Sequence, residues 1–229
     1  MAIHDGHRER LRQSFRKDGL AGFDAIRSLE LLLQYAIPRK DTNPIAHALL
    51  DRFGSLQEVF DASEQELLQV EGVGPSAAVL IRLLPQLARK SAVDRAAELS
   101  TIANTADARD YLMPRFLYER DELALLLCLD SQRRVIQCVE LSRGVVNSVS
   151  IDVRRILEIA LKQRACGLIL AHNHPDGPAR NSREDDLVTG QLYQSLRTVR
   201  IELIDHLIFA RDGVFSYRDS GALQILGYY

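Results

Sequence analysis

Through the first 95 residues, apolar positions recur with helical spacing. Leu29-Glu-Leu-Leu-Leu-Gln-Tyr-Ala-Ile predicts an apolar helix that Pro38 stops, because proline has no N–H to continue the ladder. Asn43 to Gly54 reads as a complete helix. Asn43 is placed to accept at the N-cap, Pro44 suits the first turn, and Gly54 ends it. Ser63 and Glu66 have the spacing of a capping box, and Pro75 to Lys90 predicts a further helix. No strand signal interrupts this half. Ser91 to Asn104 is rich in alanine and charge without a wide apolar stripe. Its later part reads as a linker, and its first residues can extend the preceding helix.

The pattern then changes. Glu122-Leu-Ala-Leu-Leu-Leu-Cys-Leu-Asp130 is a short, continuous apolar run of the kind found in buried strands. Ser131-Gln-Arg-Arg134 turns into a second strand over Val135 to Leu141. Ile151 to Arg164 has helical spacing, Gly167 to Ala171 predicts a third strand ending at His172, and Arg183 to Val199 is helical again. Ile201 to Phe209 and Val214 to Tyr217 are strand-like around the turn Arg211-Asp-Gly213. Residues 1–95 are therefore expected to form an all-α domain, 96–104 a linker, and 105–229 an α/β domain.

Composition narrows the function. Hydrophobic residues make up 46% and charged residues 26% of the 229 positions, which suits a protein with a real core. No apolar run approaches the length of a membrane span, and Met1-Ala-Ile-His-Asp-Gly-His-Arg lacks the apolar stretch of a signal peptide. Cys128, Cys138 and Cys166 show no CxxC spacing and read as buried thiols in a reducing cytoplasm. A net charge of −2 supplies no global attraction to DNA. The absence of a P-loop and of a GxGxxG fingerprint argues against a nucleotide enzyme.

The chemistry concentrates in His172-Asn-His-Pro-Asp-Gly-Pro-Ala-Arg-Asn-Ser-Arg-Glu-Asp185. A catalytic zinc takes three protein ligands and leaves one position open. Two histidines at i and i+2, leaving a strand, point the same way, so His172 and His174 can grip one ion from one side. Pro175, Gly177 and Pro178 turn the loop that follows. Ser182 can cap the next helix, whose first turn carries a third ligand. Spacing alone leaves that carboxylate open between Asp185 and Asp186, with Asp176 a weaker rival.

His-x-His-Pro followed by Ser-x-x-Asp resembles the JAMM motif of the MPN/JAB superfamily, which contains zinc metallopeptidases and deubiquitinating isopeptidases. His-Asn-His-Pro-x-Gly with Ser-Arg-Glu-Asp resembles the bacterial RadC family. So do Tyr35-Ala-Ile-Pro-Arg-Lys-Asp-Thr-Asn-Pro-Ile-Ala, Phe53-Gly-Ser-Leu, Val70-Glu-Gly-Val-Gly and Asp205-His206. The resemblance implies an MPN (JAB-like) α/β domain behind a helical domain, Zn2+ as cofactor, and Asp185 rather than Asp186 as ligand. It places an upstream glutamate that holds a water molecule at Glu140, and it gives Ser182 a part in stabilising an oxyanion. The implied activity is hydrolysis of a peptide or protein amide. The chain departs from the family at Val153-Arg-Arg155, where Pro-Arg-Glu is usual, and at Asp176, where serine is common; neither touches a proposed ligand.

Val70-Glu-Gly-Val-Gly-Pro-Ser-Ala-Ala78 resembles the hairpin of a helix-hairpin-helix module, in which Gly72 and Gly74 would let backbone N–H groups approach a phosphate of DNA. Against a strong duplex-binding role, residues 1–95 hold 13 Lys+Arg and 13 Asp+Glu, and Glu71 sits inside the hairpin. A DNA-binding or DNA-repair-associated docking protein with a structural or inactive zinc site is thus the alternative to a zinc hydrolase. Asp205-His206, inside an apolar strand, reads as a structural histidine bonded near its strand, with a place behind the metal or a site of its own as the other possibilities.

Overall fold

In the computed structural model the described residues are 3–144 and 152–226. The chain folds as two compact units, Met1–Ala88 and Arg89–Tyr229. The first is helical: α1 (Ile3–Asp18), α2 (Ala25–Ala36), α3 (Asn43–Phe53), α4 (Leu56–Asp61) and α5 (Glu64–Leu68) precede α6 (Pro75–Ala96), which runs on into the second. Leu29, Leu33, Ile45, Leu49, Leu67 and Ile81 form its core. The Ser63–Glu66 capping box is present. Asn43, however, does not cap α3. Thr42 stands at that position, and the Asn43 amide donates to Glu30 Oε2 at 3.0 Å. Glu30 is 2% exposed, so its carboxylate must be satisfied from within. Asn43 supplies one partner and His7, 2.8 Å away, another.

The second unit is built on a five-stranded sheet in the order β2-β1-β3-β4-β5. Its elements are α7 (Thr105–Phe116), β1 (Leu123–Leu129), β2 (Val135–Arg143), α8 (Val153–Lys162), β3 (Gly167–His174), α9 (Arg183–Thr198), β4 (Glu202–Ala210), β5 (Gly213–Ser216) and α10 (Ala222–Leu226). β1 runs antiparallel to both β2 and β3. β3 and β4 are parallel, joined through α9, and β5 returns antiparallel on β4. Helices cover both faces, so the central strands are apolar on both sides and read as continuous runs. Ala124, Leu126 and Cys128 of β1 face Ile156 of α8 and Leu192 and Leu196 of α9. Leu123, Leu125, Leu127 and Leu129 face the other way, toward Tyr111, Leu112 and Phe116 of α7.

Several boundaries differ from the sequence reading. α7 carries no strong periodic signal and contains Pro114, yet Asn104 caps it and its apolar side closes the second core. The expected linker is partly paired: Ile102 donates to the Arg133 carbonyl and Val135 to that of Ser100, both at 2.9 Å. β3 does not stop at His172 but pairs with β4 through His174. Cys128 is buried and Cys138 half-buried, but Cys166 is exposed, in the turn between α8 and β3. Ile151 lies outside the described residues. No helix among the described residues is long and apolar enough to cross a membrane.

The glycines of the Val70–Ala78 turn differ in kind. Gly72 has φ +88° and would place a Cβ 2.8 Å from two carbons of Ile45, whereas nothing lies within 4 Å of a Cβ at Gly74. A left-handed backbone alone costs a non-glycine residue about 1–2 kcal/mol. Gly72→Ala is expected to destabilise the helical unit by at least about that much, and Gly74→Ala by far less. Denaturant unfolding of the full chain, followed by far-UV circular dichroism, measures both; equal midpoints for the two variants contradict the assignment.

Candidate metal centre

β3 is the middle strand, and it begins at Gly167, where the Ile204 side chain of β4 fills the space a Cβ would take. From that point the faces alternate. Leu168, Leu170 and then His172 and His174 face α8 and α9; Ile169, Ala171 and Asn173 face α7. The loop after His174 returns the chain to the start of α9 on the histidine side. There Ser182 and Asp185 form a capping box. The Ser182 hydroxyl and amide donate to Asp185 Oδ2 at 2.6 and 2.8 Å, and Asp185 N donates to Ser182 Oγ at 3.1 Å. Local helix chemistry thereby aims the Asp185 carboxylate back at β3.

Three donor atoms meet. His172 Nε2 lies 3.0 Å from His174 Nε2 and 3.1 Å from Asp185 Oδ1, and His174 Nε2 lies 3.6 Å from Asp185 Oδ2. A tetrahedral ion with bonds of about 2.1 Å sets its donors about 3.4 Å apart, so the spacing fits one zinc. Two imidazoles and a carboxylate are also the donor types that zinc takes in open sites. Burial works against the Asp185 carboxylate, but the hydrogen bonds and charge of His172, with the two Ser182 donors, outweigh it and hold the carboxyl well below its usual range.

A second grouping overlaps the first. His172, Asp185 and His206 each offer a ligand atom within 4.8 Å of the others. His206 stands on β4 beside Leu170, on the histidine face. Its Nε2 is 2.9 Å from the other ring nitrogen of His172, Nδ1, and its Nδ1 is 2.7 Å from Thr189 Oγ1. The tighter set is the first: both His206 nitrogens already have partners, and His172 turns Nε2, not Nδ1, toward His174 and Asp185. Burial, with the His172 ring beside it, pushes the His206 ring well below its ordinary pKa.

The rival carboxylates point elsewhere. Asp186 Oδ1 accepts from Asn181 Nδ2 and from the Tyr217 hydroxyl, both at 2.7 Å. Asp176 is exposed in the loop. Arg154 pairs with Glu158 one turn along α8. Gly72 and Gly74 belong to the helical unit.

Glu140 is not beside the histidines. It pairs with Leu125, whose side chain belongs to the α7 face, while His172 pairs with Ala124 of the opposite face. Arg143 holds the Glu140 carboxylate through Nε and Nη2 at 3.1 and 2.9 Å and also contacts Glu119, which Arg89 meets in turn. The Arg143 hydrogen bonds keep Glu140 below the usual carboxylate range. The resemblance gives Glu140 the role of holding water; the strand register puts it on the wrong side of the sheet.

A different glutamate has the right parity. Stepping outward by two from Ala124–His172, the last pair that joins β1 to β3 at this end, gives Glu122 the parity of Ala124, whose side chain lies on the histidine face. Gly144 N, just past β2, donates to Glu122 O at 3.0 Å, which carries the β1–β2 pairing to this residue. The buried Asn173 amide grips the backbone on either side: its Oδ1 accepts from Leu123 N at 2.7 Å and its Nδ2 donates to Asp121 O at 3.1 Å. The middle residue of His-Asn-His thus fixes the end of β1 next to the two histidines. In the sequence Glu122 is only the first residue of a strand, because its relation to the histidines exists only through the way β1 lies beside β3.

Comparison with known proteins gives a consistent family. Residues 102–222 match the family model for a RadC-like JAB domain. A UPF0758 protein of Fusobacterium nucleatum subsp. nucleatum is 34% identical over 229 residues, covering 96% of this chain and 98% of the relative. A UPF0758 protein of Shewanella loihica is 32% identical, covering 96% and 99%, and one of Paraburkholderia xenovorans is 33% identical, covering 83% and 76%.

Proposed function

We propose, from the premise that this chain belongs to the RadC family, that its JAB domain is a single-zinc amide hydrolase. The observation that carries the reading is the convergence of His172 Nε2, His174 Nε2 and Asp185 at 3.0–3.6 Å, from a buried strand end and a capped helix. His172, His174 and Asp185 would hold the ion, and zinc in such a site supplies Lewis-acid polarisation of water and of an amide carbonyl.

The chain's own groups supply the rest. Glu122, in phase with Ala124 on the histidine face, holds the attacking water and accepts its proton at the carboxylate as the oxygen adds to the carbonyl carbon. The same carboxyl then donates that proton to the amine nitrogen as the C–N bond breaks, so Glu122 ends the cycle ionised. Asn173 keeps Glu122 in place through the two backbone hydrogen bonds that flank it. Ser182 serves mainly to aim Asp185, since its hydroxyl proton is directed to that carboxylate at 2.6 Å; its help to an oxyanion is secondary. Peptide or isopeptide bonds of a protein are the substrate class that the superfamily relationship favours.

Elemental analysis of the purified protein tests the ligand set. About one zinc per chain is expected on the wild type and on Asp186→Ala, and none on His172→Ala, His174→Ala or Asp185→Ala. A folded wild type that takes up no zinc when it is supplied overturns the reading.

Turnover separates the two glutamates. On a fluorogenic peptide and isopeptide panel, Glu122→Gln is expected to lose at least about 100-fold in rate while retaining its zinc. Glu140→Gln is expected to stay within a few-fold of wild type. The reverse ranking would return the role to Glu140.

A further inference from the structure

The motif Asp205-His206 lies outside the ligand set, yet it meets the set at one atom. We propose that His206 and Thr189 are positioning residues that select the ring tautomer of His172 and so present its Nε2 lone pair to the ion. The proposal rests on the metal-site reading above and assigns His206 a place behind the ligands rather than among them.

The protons available fix the tautomers. Thr189, fully buried in α9, donates its hydroxyl proton to the Asp185 carbonyl at 2.6 Å. A hydroxyl has one proton, so toward His206 Nδ1, 2.7 Å away, Thr189 Oγ1 must accept. His206 therefore carries its proton on Nδ1. It is fully buried and stacked at 4.9 Å on the Tyr217 ring, and its neighbour Asp205 is engaged by Ser216 and the Arg218 amide. Neither ring nitrogen of this fully buried imidazole meets a carboxylate, and an uncharged imidazole has only one N–H, so His206 Nε2 is bare and accepts from His172 Nδ1 at 2.9 Å. That leaves Nε2 of His172 without a proton, facing His174 and Asp185.

The chain of donors runs from the β3 ligand through β4 to α9 and ends on the backbone of the third ligand, Asp185. Sheet and helix are thereby tied by one path of directed hydrogen bonds, which sets both the angle of the His172 ring and its distance from Asp185. Partners of this kind change metal affinity about 10–100-fold when removed.

The test is zinc affinity by chelator competition, with the visible absorption of the Co2+-loaded protein as a second readout. The proteins are wild type, Thr189→Val, Thr189→Ser, His206→Phe, His172→Ala and His174→Ala, full-length throughout. Thr189→Val keeps the side-chain shape and removes the hydroxyl, so it stays informative if His206→Phe does not fold. The proposal expects Thr189→Val and His206→Phe to raise the zinc Kd about 10–100-fold and to shift the Co2+ bands, with Thr189→Ser near wild type in both. If Thr189→Val and a folded His206→Phe lower only the melting temperature of the metal-free protein and leave Kd and spectrum unchanged, the two residues are structural and the proposal falls while the metal site stands. If His206→Phe abolishes binding as His172→Ala does, and His174→Ala does not, His206 is a ligand and the proposal is overturned. A wild type without affinity for zinc overturns both this proposal and the reading beneath it.

Discussion

The alternation of side chains along β3 is the constraint on which the rest of the site depends. β1 pairs with β3 as far as His172 and β4 pairs with it through His174, and these pairings fix which way the end of the strand faces. His172 and His174 are therefore forced to one face and Asn173 to the other. The first face receives α9 and its carboxylate. Asn173 turns to the backbone of β1 instead and completes a ladder that would otherwise end there. One tripeptide thus supplies two of the three converging side chains and anchors the neighbouring strand end.

Phase also decides between the glutamates. Glu140 and Arg143 share the α7 side of the sheet, where buried Glu119 gathers Arg143 and Arg89 into one charge cluster. Such a cluster satisfies charges near a sheet edge and pulls Glu140 away from any role at the histidines. Glu122 is two residues from the Ala124–His172 pair and keeps its parity. An irregularity in the β1–β2 register between Ala124 and Leu125 adds to the separation, because it leaves Leu141 unpaired between Glu140 and Ser142.

The helical unit shows the same economy of polar groups. Burying Glu30 requires partners, and they come from two other helices: His7 of α1 and Asn43 of α3. Arg8 adds donors to the carbonyls of Ile37, Pro38 and Lys40, which satisfies the turn between α2 and α3 where proline has ended the helical ladder. The Tyr35-to-Ala46 stretch that the sequence marks as distinctive is thus held by side chains from α1.

Much of this protein is determined locally and is legible in the chain itself. Apolar periodicity places α2, α3, α8, α9 and the strands β1 to β5 close to where they lie, because each is apolar or amphipathic enough to have one stable form. The Ser63–Glu66 box and the Ser182 cap are read directly, since a capping residue acts within one helical turn. His172 and His174 share a face by strand geometry alone. Three things were decided only by tertiary structure. Asn43 gives up its cap to a buried carboxylate from another helix. Glu140 falls on the α7 face, away from the histidines, because facing depends on strand pairing, which spacing along one strand does not record. His206 reaches His172 across 34 positions of chain, through a parallel pairing with β4 that exists only once α9 has carried the chain across the sheet.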